Sequence, residues 1–222
     1  MIKLESISKT YNLGNEKVHA LNNINLNIEE GDFISIIGPS GSGKSTLMNI
    51  IGLLDNNYKG KYILDNKDIS KQSDDELSII RSKNIGFVFQ HFNLLPKLTA
   101  IENVMVPLLY QGYTETEAYN KSKEALKKVN LSHRLNHLPN ELSGGQMQRV
   151  AIARAIVSKP KLILADEPTG AVDTKTGEEI IKIFKELNHG GQTILLITHD
   201  LSIASNAKKT IKIQDGELYE NK

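Results

Sequence analysis

The run Gly38-Pro39-Ser40-Gly41-Ser42-Gly43-Lys44-Ser45-Thr46 contains the residue types needed to hold phosphate. It fits G-x-x-x-x-G-K-[ST], the Walker A or phosphate-loop pattern. Its glycines let backbone N–H groups turn inward toward phosphate oxygens with no side chain in the way. A helix beginning near Lys44 offers first-turn N–H groups and the positive end of its dipole. Lys44 acts as a mobile point charge on the β- and γ-phosphates of a nucleotide, and Ser45 presents a hydroxyl to Mg²⁺. A plain Gly/Ser-rich turn is the competing reading. The context argues against it: the apolar run Phe33–Ile37 ends at Gly38, and a helical stretch from 45 to about 54 follows.

Phosphate chemistry with a metal needs a second oxygen ligand. Leu162-Ile163-Leu164-Ala165 reads as a buried strand ending at Asp166, the Walker B pattern, and Asp166 is the expected ligand through water. Glu167 comes next and is placed to orient an attacking water as general base. A solvated turn after the strand would carry the same residues, but beside a phosphate loop the pair argues for hydrolysis rather than nucleotide storage.

A third segment, Leu142-Ser143-Gly144-Gly145-Gln146, opens a helix running to about 158. Ser143 and Gln146 have capping-box spacing, so an ordinary helix start is the bland reading. Two glycines in a first turn cost roughly 1 kcal/mol each relative to Ala. They make sense where something must approach the backbone closely, and an anion is the natural candidate.

The elements that must position these residues are partly legible. Phe33–Ile37, 162–165 and Thr193–Thr198 are apolar runs suited to strands buried on both faces of a parallel sheet. Residues 18–28 and 58–64 read as further strands, the latter followed by an Asp65-Asn66 turn. Near the N-terminus, Ile2, Leu4, Ser6 and Ser8 are expected on one face of a strand. Thr99 with Glu102 and Thr114 with Glu117 are capping boxes. The second predicts a helix to about Val129. Residues 175–187 carry a helical apolar stripe. Residues 90–158 look mostly helical, so the expectation is an α/β core with a helical lobe inserted in it.

The chain has 222 residues, 39% hydrophobic and 24% charged, with net charge +1 and no cysteine. One large domain with a sizeable core is expected. The balanced charge gives no electrostatic footprint for nucleic acid, and none is expected as a partner. Disulfides, Cys-based zinc sites and thiol nucleophiles are excluded. The N-terminus lacks the apolar region of a signal peptide, and no stretch approaches the roughly 18 apolar residues of a membrane span. Work at a membrane would go through a partner.

Taken together, Leu142 to Gln146 and its continuation through Ala155, the phosphate loop and the Asp166-Glu167 pair resemble the ATP-binding cassette (ABC) ATPases, over residues 2 to about 219. The resemblance implies an α/β phosphate-loop cassette with a mixed-sheet core, an antiparallel β subdomain and an inserted helical subdomain. It implies one ABC domain over 1–222, with core and β subdomain at about 1–90 and 159–222 and helical subdomain at about 91–158. Tyr11 matches the aromatic that stacks on adenine. Gln90 matches the glutamine that contacts Mg²⁺ and water, and His199 matches the switch histidine near the γ-phosphate. Asp173, within Ala171-Val172-Asp173, matches a residue reaching across a dimer interface. Ser143, Gly144, Gly145 and Gln146 are expected to contact ATP in trans. ATP is the implied substrate and Mg²⁺ the implied cofactor, with Ser45, Gln90 and Asp166 as ligands. Two cassettes, as a homodimer or a heterodimer with a similar cassette, would close head to tail on two nucleotides.

The segments 52–55, 91–104 and 165–170 look like the macrolide-exporter and lipoprotein-releasing branch, whose bacterial members pair with four-helix permeases. The implied role is an ATPase at the cytoplasmic face of the membrane, powering export or extraction of peptides, drugs or lipoproteins. A cell-division-type signalling complex and a soluble non-transport ABC ATPase are the alternatives. The short segment between Lys44 and Ser143 has no sustained heptads, which disfavours chromosome-type relatives with long coiled coils.

Overall fold

The computed structural model describes residues 1–14 and 16–220. Asn15, Asn221 and Lys222, within the 1–222 span expected for the domain, lie outside them. The chain divides into two compact units, Met1–Arg81 with the segment from Thr193 onward, and Ser82–Gln192.

The first unit opens with β1 (Ile2–Leu13) and β2 (Glu16–Ile28), which pair antiparallel; β4 (Lys59–Leu64) pairs on the other side of β1, and β5 (Lys67–Asp68) on β4. The expected alternation along β1 fails after Leu4. Ser6 has φ 52°, and the register shifts between Leu4 and Ile7 against β2 and between Glu5 and Ser8 against β4. One extra residue in β1 is a bulge, and a bulge reverses which residues face inward. Ile7 and Lys9 therefore follow Ile2 and Leu4 into the interior, while Ser6 is exposed. Gly60 permits the bulge: at φ 109° its Cβ would lie 2.6 Å from the Ser6 carbonyl oxygen and 2.7 Å from that of Glu5.

The same unit holds a mixed sheet in the order β10-β9-β3-β8. Here β3 (Phe33–Ile37) runs parallel to both β8 (Thr193–Thr198) and β9 (Lys209–Gln214), and β10 (Glu217–Glu220) is antiparallel to β9. Every residue of β3 and β8 is buried, as their continuous apolar runs predict. Ser35 is the polar residue of β3, and its hydroxyl is satisfied by Thr210 Oγ1 at 2.8 Å and the Ala204 carbonyl at 3.1 Å. Helix α1 (Lys44–Ile51) buries Leu47, Met48, Ile50 and Ile51. Its C-terminal carbonyl, Ile51 O, accepts a 2.8 Å hydrogen bond from the hydroxyl of fully buried Tyr62 on β4. Helix α2 (Asp74–Asn84), unanticipated from the sequence, begins with a Ser73–Glu76 capping box, and the division between the units falls in its last turn. The short helix α7 (Leu201–Ala204) follows β8.

The second unit pairs β6 (Ile85–Phe89) in parallel with β7 (Leu162–Asp166). Around them lie α3 (Ala100–Tyr110), α4 (Glu115–Lys128), a 3₁₀ turn (Pro139–Glu141), α5 (Gly144–Ile156) and α6 (Thr174–His189). Both expected capping boxes are present, on Thr99 and Thr114. The core gathers Val104, Leu126, Val150, Ile152, Ile180 and Phe184, all fully buried. Among the described residues no helix is long and apolar enough to cross a membrane.

Tyr62→Phe removes the donor to the α1 carbonyl and leaves that acceptor buried. A loss of about 1–3 kcal/mol in unfolding free energy is expected from urea titration, because an orphaned buried acceptor keeps its full desolvation penalty.

Candidate active site

In the first unit, residues 38–43 form the loop between β3 and α1. Gly43 is the N-cap of α1 at φ 104°, and its Cβ would lie 2.5 Å from the Ala20 carbonyl oxygen. Gly38 is as constrained: a Cβ there would come within 2.2 Å of the Ile213 carbonyl oxygen. Packing against β2 and β9 thus sets these glycines, in addition to any approach by phosphate. The Gly216 N–H donates to the Ser42 carbonyl at 3.1 Å, tying the loop to the turn before β10.

Helix α1 has no side-chain cap and no acidic residue in its first turn. The other described α-helices all start on a side-chain cap: Ser73, Thr99, Thr114, Ser143, Asp173 and Asp200 in chain order. A cap-free N-terminus behind a left-handed glycine leaves the first-turn N–H groups for an anion. Lys44 curls back over the loop, donating to the Gly38 carbonyl at 2.7 Å and the Pro39 carbonyl at 2.8 Å. The ammonium is thereby held at the rim of the cradle. Ser40, Gly41 and Ser45 are exposed, Thr46 is half-buried, and the Ser42 hydroxyl is buried with no partner among the described residues. Tyr11, near the end of β1, and His199, exposed just after β8, belong to the same unit.

The second unit carries the other expected site residues. Asp166 ends β7 and Glu167 follows at φ 45°, a left-handed backbone that a non-glycine adopts at a cost of about 1–3 kcal/mol and that clusters at functional sites. Gln90 follows β6, and a Cβ on Gly170 would lie 2.7 Å from its Nε2. The signature segment caps α5 as expected: Ser143 Oγ accepts from the Gln146 N–H at 3.3 Å, and Gln146 Oε1 accepts from the Ser143 N–H at 3.0 Å. The two glycines differ. A Cβ on Gly145 would meet Thr176 Cγ2 at 2.3 Å, so packing alone requires a glycine there, whereas one on Gly144 would make only ordinary contacts, the nearest 3.5 Å away. Asp173 caps α6, accepting from the Thr176 N–H at 3.0 Å and hydroxyl at 2.6 Å; these bonds hold its carboxyl below the usual carboxylate range.

Two residues on α5 escaped the sequence reading. Gln148 is fully buried, and its amide donates to the Phe89 carbonyl at 3.3 Å and the Pro168 carbonyl at 2.7 Å, the residues just before Gln90 and just after Glu167. Arg154 donates to the carbonyls of Phe92 at 2.9 Å and Asn93 at 2.7 Å, both in left-handed backbone. One helix thus grips the backbone on both sides of Gln90 and next to Glu167. The available signal was Arg154 standing alone among the apolar residues Val150 to Ile156, with Gln148 just before that run.

A phosphate cradle after a buried parallel strand, with a carboxylate pair ending another strand, defines a P-loop nucleotide hydrolase. The family model described as ABC transporter matches residues 21–170. The uncharacterized ABC transporter ATP-binding protein YvrO of Bacillus subtilis (strain 168) is 54% identical over 98% of this chain and 95% of its own length. The macrolide export ATP-binding/permease protein MacB of Mannheimia succiniciproducens is 47% identical over all of this chain but only 34% of its own length. Among solved structures, the ATP-binding cassette MJ0796, dimeric in a post-hydrolysis state with ADP and Pi, superposes with a TM-score of 0.90 at 49% identity, covering 99% of this chain and 98% of that one. The chain belongs to the ABC transporter family. It is an ATP-binding cassette of that fold and an ATPase.

Gly170→Ala should displace the Gln90 amide while leaving the phosphate loop intact. The expected result is kcat lower by roughly 10–100-fold, the scale of an ångström-level misplacement. ATP affinity, measured by equilibrium binding, should change little.

Proposed function

We propose that this chain is the ATPase subunit of a bacterial ABC transporter, closing as a head-to-tail dimer on two ATP molecules and driving a separate membrane permease. The observation that carries the reading is the cap-free N-terminus of α1 behind Gly43, with Lys44 held over the loop. In the dimer, residues 38–46 of one copy hold the triphosphate. Ser143, Gly144, Gly145 and Gln146 of the other copy approach the γ-phosphate, with Asp173 near the shared boundary. Tyr11 stacks on the adenine. Glu167 accepts a proton from the attacking water, while Gln90 and His199 orient it. Loss of the γ-phosphate removes the charge that bridges the copies, and the dimer opens.

Ser45, Asp166 and Gln90 would hold Mg²⁺. Their hydroxyl, carboxylate and amide oxygens are the hard donors this ion takes, and one carboxylate plus phosphate oxygens is its usual protein setting. When bound, the ion neutralises charge on the β- and γ-phosphates.

The dimeric MJ0796 cassette and the permease named within the MacB protein support the assembly. Unit-two geometry supports a docking role as well. Fully buried Asn103 accepts from the Leu95 N–H at 2.8 Å and donates to the carbonyls of Leu95, Leu98 and Thr99, fixing a loop on which Leu95 stays 45% exposed. With Phe92 and Leu94 this apolar loop is suited to receive a permease helix at the cytoplasmic face of the membrane. The likeness to MacB, named for macrolide export, supports export as the work done, and the branch resemblance of residues 52–55, 91–104 and 165–170 extends the reading to extraction and to peptides, drugs or lipoproteins as cargo.

Glu167→Gln keeps the side chain's shape and removes its basicity. It should bind ATP, slow turnover by about 10²-fold or more, the scale of general-base loss, and accumulate as an ATP-dependent dimer in gel filtration. Wild-type turnover in this variant would refute the base assignment; a strictly monomeric variant under ATP would refute the clamp.

A further inference from the structure

The β1 bulge at Ser6 carries a lysine into the interior, and what that lysine does there lies beyond the motifs. Lys9 is only 5% exposed. Its ammonium donates to Asp55 Oδ1 at 2.7 Å and the Asn57 carbonyl at 2.6 Å, and lies 2.7 Å from Asp55 Oδ2. Both hydrogen bonds turn the ammonium toward Asp55 and Asn57. The ammonium also sits 4.8 Å from the centroid of the Tyr11 ring, and the Tyr11 hydroxyl donates to Asp55 Oδ2 at 3.3 Å. Asp55 in turn accepts from the Asn57 N–H at 2.9 Å. Burial pushes the Asp55 carboxyl up, but the Lys9, Asn57 and Tyr11 hydrogen bonds and the Lys9 charge outweigh it and hold the group below its ordinary value, so it is ionised at neutral pH.

We propose that the Lys9–Asp55 pair is a positioning clamp that sets the plane of the Tyr11 ring and thereby the contribution of the base to nucleotide affinity. This rests on Tyr11 being the base platform. Two contacts fix the ring: a cation against one face and a carboxylate at the hydroxyl. A tyrosine near a strand end otherwise rotates about two torsions, and holding it in advance removes the ordering cost from binding. Tyr11 is half-buried, and with Lys9 on one side, the opposite face is the one left for a base. The cation draws π density toward itself. The far face becomes less electron-rich, which suits stacking by an electron-rich purine. Lys9 and Asp55 are positioning residues and touch no substrate.

The test compares magnesium ADP with magnesium pyrophosphate by isothermal titration of the full chain; neither ligand asks for hydrolysis or dimer closure, so the result stands apart from the clamp model. Tyr11→Ala should weaken ADP about tenfold, within the range of one base–aromatic stack, and leave pyrophosphate unchanged. Lys9→Met, which keeps length and removes charge, should weaken ADP about three- to fivefold with pyrophosphate unchanged, a part of the loss of one whole base–aromatic stack. Lys9→Arg should recover most of that loss. Asp55→Asn should shift ADP in the same direction and serves if Lys9→Met does not fold. Equal losses for both ligands in the Lys9 and Asp55 variants would make the pair a structural brace and overturn the proposal, as would an unchanged ADP affinity. If Tyr11→Ala itself leaves the ADP-to-pyrophosphate ratio unchanged, the platform reading falls, and the clamp with it.

Discussion

The start of α1 is where backbone N–H groups are offered to an anion instead of to a side chain, and much of the first unit exists to keep them in place. Gly43 turns the chain through a left-handed conformation with the Ala20 carbonyl too close for any side chain. The Ile213 carbonyl does the same to Gly38. At its other end, α1 is held by the Tyr62 hydroxyl. A cap on this helix would stabilise the fold by about 1 kcal/mol, and its absence leaves the first-turn N–H groups with no side-chain acceptor. β3, buried along its whole length, supplies the rigid base on which the loop turns.

The second unit meets a different constraint, since three of its loop residues hold backbone conformations that are costly for a side chain. Glu167, Phe92 and Asn93 are all left-handed non-glycine residues. Helix α5 answers with two polar side chains, Gln148 on the carbonyls flanking Gln90 and Glu167, and Arg154 on those of Phe92 and Asn93. The helix that begins at the signature glycines is thus the helix that steadies the backbone around Gln90 and Glu167. Any nucleotide contact at its N-terminus acts on an element already bonded to them, a physical route for coupling that needs no large rearrangement.

Membership of the ABC transporter family accounts for the co-occurrence of these two devices in one chain. The chain's formal net charge is only +1. The charge that matters is local: Lys44 over its loop, Lys9 beneath Tyr11, and cap-free N–H groups on α1.

What residue order alone determined were features built from neighbours in the chain. The capping boxes at Thr99, Thr114 and Ser143 arise from contacts within three positions, so their spacing is their mechanism; the phosphate-loop pattern and the apolar strand runs are legible in the residue order, although Ala20, Ile213 and neighbouring strands hold them in place. Tertiary structure decided what depends on distant partners. The β1 bulge needed Gly60 on another strand, and it sent Lys9 rather than Ser8 into the interior. The reason for Gly145 is Thr176, and the partners of Gln148 and Arg154 lie on loops far along the chain. Strand alternation read from a single segment cannot register an extra residue that only a neighbouring strand makes tolerable. A buried polar side chain likewise declares its purpose only when the carbonyls it satisfies come within reach.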